Sequence, residues 1–599
     1  MDQDTIPTLF LSRVKKYDGR VALRKKEYGI WKDISWKEYG KNVKYVSLGL
    51  AALELKKGER VTMVGENCPE WLYADLGIMS AGGITSAIYT TSSPEQCEYI
   101  IGHSEARFHI VEDEEQLDKV LKVRNRLPNL VKIIVIDMEG LKHFKDPMVM
   151  SFEELIKMGQ DLDKKNPNLF ETRLNEAKSE DTALLIYTSG TTGPPKGAML
   201  SHSNILWTTT AIKNAFPLYD TDEVLSFLPL SHIAERMFSL FLPIQYGYIV
   251  NFIENTDTVT QNMIEVSPSV FFAVPRIWEK YFSTITIQMS ESTWFKKMVY
   301  YLSLKVGGKI TGLRLKKEKV PFLWRAVYSL VQFVVFRKLK ERLGFDRVRL
   351  AISAAAPISP DVLRYFHSIG IPLRELYGQT EDCGPTSTHL GDEINIGTVG
   401  QAIPGVYVKI AEDGEILVRG PNVFQGYFKD PEATHETLKD GWLHTGDVGE
   451  LDEDGYLRIT DRKKDLIITA GGKNIAPQNI ENQLKFSPYI NDAVVIGDGR
   501  RYLTALIMID EDNVVKYAQD NRIPFTTYSD LSKNPDIKRL IKGEVEKVNK
   551  TVSNVETIKK FTIFDIRLDM ESGELTPTMK VKRKYINEIY KDIIESMYR

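Results

Sequence analysis

Short β-branched runs alternate along this chain with longer stretches of helical period, and that alternation constrains the fold more than any other feature. Arg60-Val61-Thr62-Met63-Val64, Val131 to Ile136 and Ala183-Leu184-Leu185-Ile186-Tyr187 read as buried strands separated by helices. They predict a mixed α/β fold. Beyond about residue 395 the texture shifts to short strands with Gly and Asp turns, such as Ala411 to Glu415 and Asp452 to Tyr456, which predict hairpins in a β-rich subdomain. After Asp461-Arg462-Lys463-Lys464-Asp465 come a strand-like Ala493 to Ile496 and a helical apolar spacing through Ile537, Leu540, Ile541, Val545 and Val548. The expected organisation is a large, multi-subdomain N-terminal α/β domain over 1–461 and a small α+β C-terminal domain over 462–599.

With 599 residues, 43 % of them hydrophobic, the chain exceeds what one core serves. Its formal charge of −3 lacks the positive field of a non-specific nucleic-acid binder, so no nucleic-acid partner is expected. Three cysteines, Cys68, Cys97 and Cys383, show no Cys-x-x-Cys spacing, which suits a reducing cytoplasmic location without structural zinc. The acidic start Met1-Asp2-Gln3-Asp4 does not resemble a secretory leader, so the chain reads as mature protein. The longest uncharged run, Met237 to Ile253, contains Pro243, Gly247 and Asn251; a buried helix, a Gly turn and a strand explain it better than a membrane span of ~18 apolar residues.

One charge island stands out. Residues 291–350 hold 15 Lys and Arg against 4 acids, together with aromatics such as Trp294, Phe295, Phe322, Trp324 and Phe333. Such a segment predicts peripheral contact with an anionic membrane, against the plain alternative of a solvated basic face over core helices.

The sharpest motif begins where a predicted strand ends: Tyr187-Thr188-Ser189-Gly190-Thr191-Thr192-Gly193-Pro194-Pro195-Lys196-Gly197. Glycines free the backbone to wrap an anion, hydroxyls donate to phosphate oxygens and Lys196 neutralises charge. It reads as a triphosphate loop without the Gly-Lys-Ser/Thr of a Walker loop. Five further strings follow in order: Ser353-Ala354-Ala355-Ala356-Pro357, Tyr377-Gly378-Gln379-Thr380-Glu381, Thr445-Gly446-Asp447, Asp461 to Asp465, and Pro577-Thr578-Met579-Lys580-Val581-Lys582-Arg583. Together these motifs resemble the adenylate-forming superfamily of AMP-dependent synthetases and ligases. Leu228-Pro229-Leu230-Ser231-His232-Ile233-Ala234-Glu235-Arg236 resembles its long-chain fatty acyl-CoA synthetases in particular.

By its own chemistry, Tyr377 offers a ring for adenine, Gln379 and Thr380 can donate to phosphate, and Glu381 is a hard oxygen ligand. The resemblance implies that ATP is held by Thr188, Ser189, Gly190, Thr191, Thr192, Gly193 and Lys196. It adds Ser353 and Ala354 at the adenine, the run Glu375, Leu376, Tyr377, Gly378, Gln379 and Thr380, and Asp447 at the ribose with Arg462 at ribose or phosphate. Thr188 and Glu381 would hold Mg2+, and His232 would lie beside the acyl carboxylate. Lys580 would be the catalytic cation, bridging a carboxylate and the α-phosphate that otherwise repel. The superfamily further implies a mobile C-terminal domain hinged near Lys464, whose rotation brings Gly471 and Gly472 to the pantetheine path of coenzyme A. The activity implied is ATP-dependent ligation of a long-chain fatty acid to coenzyme A. An aromatic or medium-chain acid, a carrier-protein acceptor, and a catalytically silent membrane-associated homologue remain as alternatives, and the sequence assigns no oligomeric state.

Overall fold

The computed structural model describes residues 4–188, 194–391, 393–568, 574–575 and 581–599. The predicted strands form at Arg60–Val64, Lys132–Val135 and Thr182–Thr188, all in one eight-stranded sheet. Its interior pairs Ile84–Ile88, Arg60–Val64, Phe108–Val111 and Lys132–Val135 in parallel, and Lys196–Ser201 folds back antiparallel on Thr182–Thr188. Parallel strands are covered on both faces, which is why these runs are continuously apolar and not alternating.

A second sheet pairs Val270–Ala273, Leu350–Ala354 and Leu373–Tyr377 in parallel, followed by the short antiparallel Ser387–Thr388 and Gln401–Ala402. A third joins Glu223–Ser226, Ile249–Phe252, Val21–Glu27 and Ile30–Ser35. The uncharged run becomes a helix Leu242–Tyr246, a left-handed turn at Gly247 and the strand Ile249–Phe252, with no span; no helix among the described residues is long and apolar enough to cross a membrane.

Beyond residue 400 the expected hairpins form: Tyr407–Ile410 with Glu415–Arg419, and Trp442–Leu451 with Leu457–Arg462. Downstream, Ile490–Ile496, Leu503–Ile509 and Ile558–Ile563 make a three-stranded sheet, covered by the helix Pro535–Asn549, whose Ile537, Ile541 and Val545 are buried. Its core draws only on residues from Ile467 onward, separate from the cores of the larger part. All three cysteines are buried free thiols.

Candidate active site

The strand Thr182–Thr188 delivers Thr188 at its carboxyl end, and Leu350–Ala354 and Leu373–Tyr377 deliver Ala354 and Tyr377 at theirs. Crevices beyond the carboxyl ends of parallel strands are where open α/β sheets take ligands. Two sheets therefore aim the candidate residues into one region. Of the residues named from sequence, Ser189, Gly190, Thr191, Thr192, Gly193 and Lys580 lie outside the described residues.

The Thr188 hydroxyl donates to Glu381 Oε1 at 3.4 Å, and the Tyr427 hydroxyl donates to the same oxygen at 2.8 Å. Lys196, opposite Thr188 in register, holds its Nζ 5.3 Å over the Tyr427 ring and 4.0 Å from Asp430. Burial, then the Glu381 charge, keeps the Tyr427 phenol protonated and donating. No cluster of three or more His, Cys, Asp or Glu suited to a metal occurs among the described residues. A single carboxylate beside a hydroxyl still fits Mg2+, which keeps waters and takes substrate phosphates for the rest of its octahedron.

Around Asp447 the arrangement is tighter. The Tyr377 hydroxyl donates to its Oδ2 at 2.8 Å, the Gln379 amide donates to the same oxygen at 2.7 Å, and Arg462 Nε stands 3.4 Å from Oδ1. Asp447 and Arg462 face each other in register across the long hairpin, and Asp447 is buried. Gln379 differs from the sequence expectation: its amide also donates to Thr445 O at 2.8 Å, so it is spent on the carboxylate's loop and is not free for phosphate. Thr380 is likewise buried at the start of the turn Thr380–Asp382. Gly378 is required by close approach, since a Cβ there would sit 1.4 Å from Gly384 O.

Ser353 pairs with Glu375 and Ala354 with Leu376 across the second sheet. Burial pushes the Glu375 carboxyl up to about 8, and neither Glu375 Oε2 nor Ser353 Oγ has a hydrogen-bond partner among the described residues. Ala355, directly after the strand, adopts φ 72°, a left-handed conformation that costs a non-glycine residue energy and clusters at functional sites. Orphaned buried polar atoms beside a strained turn fit a wall that a polar ring completes.

His232 caps the short helix Ile233–Arg236, its Nδ1 accepting from Ala234 N at 3.1 Å. A neutral ring in that geometry carries its proton on Nε2. The flanking pair is structural. Glu235 Oε1 accepts from Ser226 at 2.7 Å and Ser239 at 2.6 Å, and burial pushes its carboxyl up to about 7. Arg236, fully buried, lies 3.5 Å from the equally buried Asp75 and over the Trp71 ring at 4.7 Å. Asn67 fixes the same loop, donating to Leu228 O at 2.7 Å and accepting from Leu230 N at 3.2 Å. Sequence reasoning missed Asn67 and Tyr427; the Gly426-Tyr427 dipeptide after a Pro-Asn turn was the only local signal of the latter.

In the C-terminal part Lys464 is exposed, and Gly471 and Gly472 form the exposed tip between Ile467–Ile468 and Asn474–Ile475, with Gly472 at φ 71°. Arg583 makes a two-pronged ion pair with buried Glu481 at 2.7 and 2.9 Å and donates to Val495 O at 2.7 Å, which anchors the chain three residues after Lys580. The helix Pro275–Glu291 meets this part through stacked Phe282 and Phe486 at 5.0 Å, Arg276 to Asn491 at 3.1 Å and Asn513 to Ser283 at 2.9 Å. Pro275 stands at the helix N-terminus, where its missing N–H costs nothing.

The sequence model of the AMP-binding enzymes matches residues 10–428, and that of the AMP-binding enzyme C-terminal domain matches 464–599. The chain belongs to the AMP-binding enzyme family. Among family members, the long-chain-fatty-acid–CoA ligase ACSBG2 of Xenopus laevis is 36 % identical over 99 % of this chain and 84 % of its own. The long-chain-fatty-acid–CoA ligase FadD15 of Mycobacterium tuberculosis is 34 % identical over 95 % of this chain and 93 % of its own. The fold of the family is seen in the anthranilate CoA ligase AuaEII bound to anthranoyl-AMP, which matches with a TM-score of 0.74 at 18 % identity over 99 % of this chain and 98 % of that one. ATP-bound MatB from Rhodopseudomonas palustris matches with a TM-score of 0.69 at 22 % identity over 98 % and 99 %.

Proposed function

We propose that this AMP-binding enzyme is a long-chain fatty acid:CoA ligase that works through an acyl-adenylate. The observation that carries the nucleotide half is the Asp447 carboxylate, buried, facing Arg462 Nε at 3.4 Å and held at one oxygen by Tyr377 and Gln379. A preset acceptor of this kind suits a vicinal diol such as a ribose, because its orientation is settled before the substrate arrives. The acyl half rests on the full-length similarity to ligases named for long-chain fatty acids.

In the first step a carboxylate oxygen forms a bond to the α-phosphorus of ATP while the bond to pyrophosphate breaks. Lys580 is assigned to the charge that builds up between the two anions, and His232 Nε2–H to the acyl oxygen. Thr188 and Glu381 would hold Mg2+, which supplies further neutralisation of the phosphates. In the second step the thiol of coenzyme A gives up its proton to solvent and its sulfur bonds to the acyl carbon, while the carbon–oxygen bond breaks and AMP leaves with that bond's pair of electrons. Rotation of the C-terminal domain about Lys464 would exchange Lys580 for the Gly471-Gly472 tip between the steps.

Palmitate-dependent ATP–pyrophosphate exchange tests the assignment. Wild-type protein should exchange, and Asp447→Ala should lose at least about 100-fold of it, the cost of removing a preset charged contact. Exchange that survives Asp447→Ala unchanged would move the nucleotide elsewhere.

A further inference from the structure

The basic island folds into two helices, Trp294–Leu315 and Phe322–Val331, the latter running on through Gln332–Phe336 into Arg337–Leu343. One face of each is fixed to the protein. Gly307 lies against the Ser368 backbone, where a Cβ would come within 2.2 Å of Ser368 O, and Gln332 Nε2 donates to Ile369 O at 3.2 Å. Tyr328 and Phe336 are buried on the same side.

The opposite face ought to be polar if water were its only neighbour. Instead Leu323, Val327, Leu330 and Val334 recur at helical spacing and are all exposed, flanked by Phe322 at 85 % and Phe333 at 67 % exposure. The first helix adds Trp294 at 74 %. Of the 15 Lys and Arg in 291–350, only Lys317, Arg337, Arg347 and Arg349 form ion pairs among the described residues. The remaining eleven leave a dense positive field beside an uncovered apolar face, on a chain whose formal charge is −3. Lys309 lies over the Trp324 ring at 4.0 Å, joining the two helices through a cation whose charge stays at the surface.

We propose that these two helices lie flat on an anionic phospholipid bilayer, with Phe322, Leu323, Leu330 and Phe333 entering the interface and the unpaired cations meeting the headgroups. Apolar residues on one face with basic residues around them match such a surface in both hydrophobicity and charge, whereas a neutral protein groove would leave the cations unmet. No described helix can span a bilayer, so the contact is interfacial. The inference stands apart from the ligase reading, since vesicle binding needs no substrate.

Flotation of the full chain with vesicles tests it, using phosphatidylcholine alone and phosphatidylcholine with about 30 % phosphatidylserine, at about 0.15 M salt. Wild-type protein should float with the anionic vesicles and not with the neutral ones. The surface variant Phe322→Ser/Leu323→Ser/Leu330→Ser/Phe333→Ser should lose at least about tenfold of that binding while melting like wild type. Each of Lys305→Gln and Lys316→Gln should weaken it by about fivefold, as one cation at a charged membrane does. The control Tyr28→Ser, in the turn between Val21–Glu27 and Ile30–Ser35, should float like wild type. Equal flotation of wild type and the quadruple variant overturns the proposal. So does a wild-type dimer that the quadruple variant dissolves while wild type ignores anionic vesicles, which would assign the face to a second copy of this chain.

Discussion

Glu375 gives the site a pH signature that can be worked from the structure. Its carboxyl, buried on the strand Leu373–Tyr377 with Oε2 unpartnered among the described residues, is pushed up to about 8 from an ordinary 4.5 by burial, opposed by a backbone hydrogen bond from Ile358. Between those two values the folded protein holds a proton that the unfolded chain has released, so stability falls as pH rises through that window. At about 1.4 kcal/mol per pH unit, the decline amounts to a few kcal/mol, on the order of 4. Glu375→Gln keeps the volume and a neutral polar group but removes the titration. Its melting temperature relative to wild type should therefore climb progressively from about pH 5 to about pH 8, by several degrees over that range, and level off above it. Groups such as Glu235 titrate in both proteins and cancel from the difference. Scanning calorimetry at four or five pH values reads it, and curves that run parallel from pH 5.5 to 8.5 would refute a protonated Glu375.

Three further outcomes follow from the same geometry. Tyr377→Phe deletes one of two donors on Asp447 Oδ2 and should raise the KM for ATP about tenfold in pyrophosphate exchange, the usual worth of a hydrogen bond to a charged group, with little change in the KM for the acid. Glu381→Ala should raise the magnesium concentration needed for half-maximal exchange, and an unchanged requirement would remove Glu381 from the metal site. Arg236→Leu strands the buried Asp75 charge and should destabilise the protein by about 3–5 kcal/mol in urea unfolding, with much of the loss recovered in Arg236→Leu/Asp75→Leu.

Much of the frame was legible in the chain itself. Thr182–Thr188 announces a strand by its apolar run, Pro535–Asn549 a helix by its period, and the hairpin turns by Gly414 and Gly455. The cluster at Asp447 was legible in its members but not in its wiring. Tyr377 and Gln379 reach it across about 70 residues of chain, and no local pattern says that the Gln379 amide turns toward a carboxylate and not a phosphate. Tyr427 and Asn67 were invisible for the same reason, each joining partners that lie 46 and about 160 residues away. In the basic helices the periodicity of Leu323, Val327, Leu330 and Val334 is what a core-facing stripe shows, and only the fold reveals that it faces outward. The motif Leu228 to Arg236 was legible as a string, but not that Glu235 and Arg236 are buried among Ser226, Ser239, Asp75 and Trp71, holding the loop that carries His232 from inside.

The most direct test of the whole account is coenzyme A-dependent AMP release across carboxylates from acetate through palmitate to benzoate, with wild type beside Lys580→Ala. Release should be selective for palmitate, require coenzyme A and collapse in Lys580→Ala. Release favouring acetate or benzoate, or turnover that persists without Lys580, would contradict it.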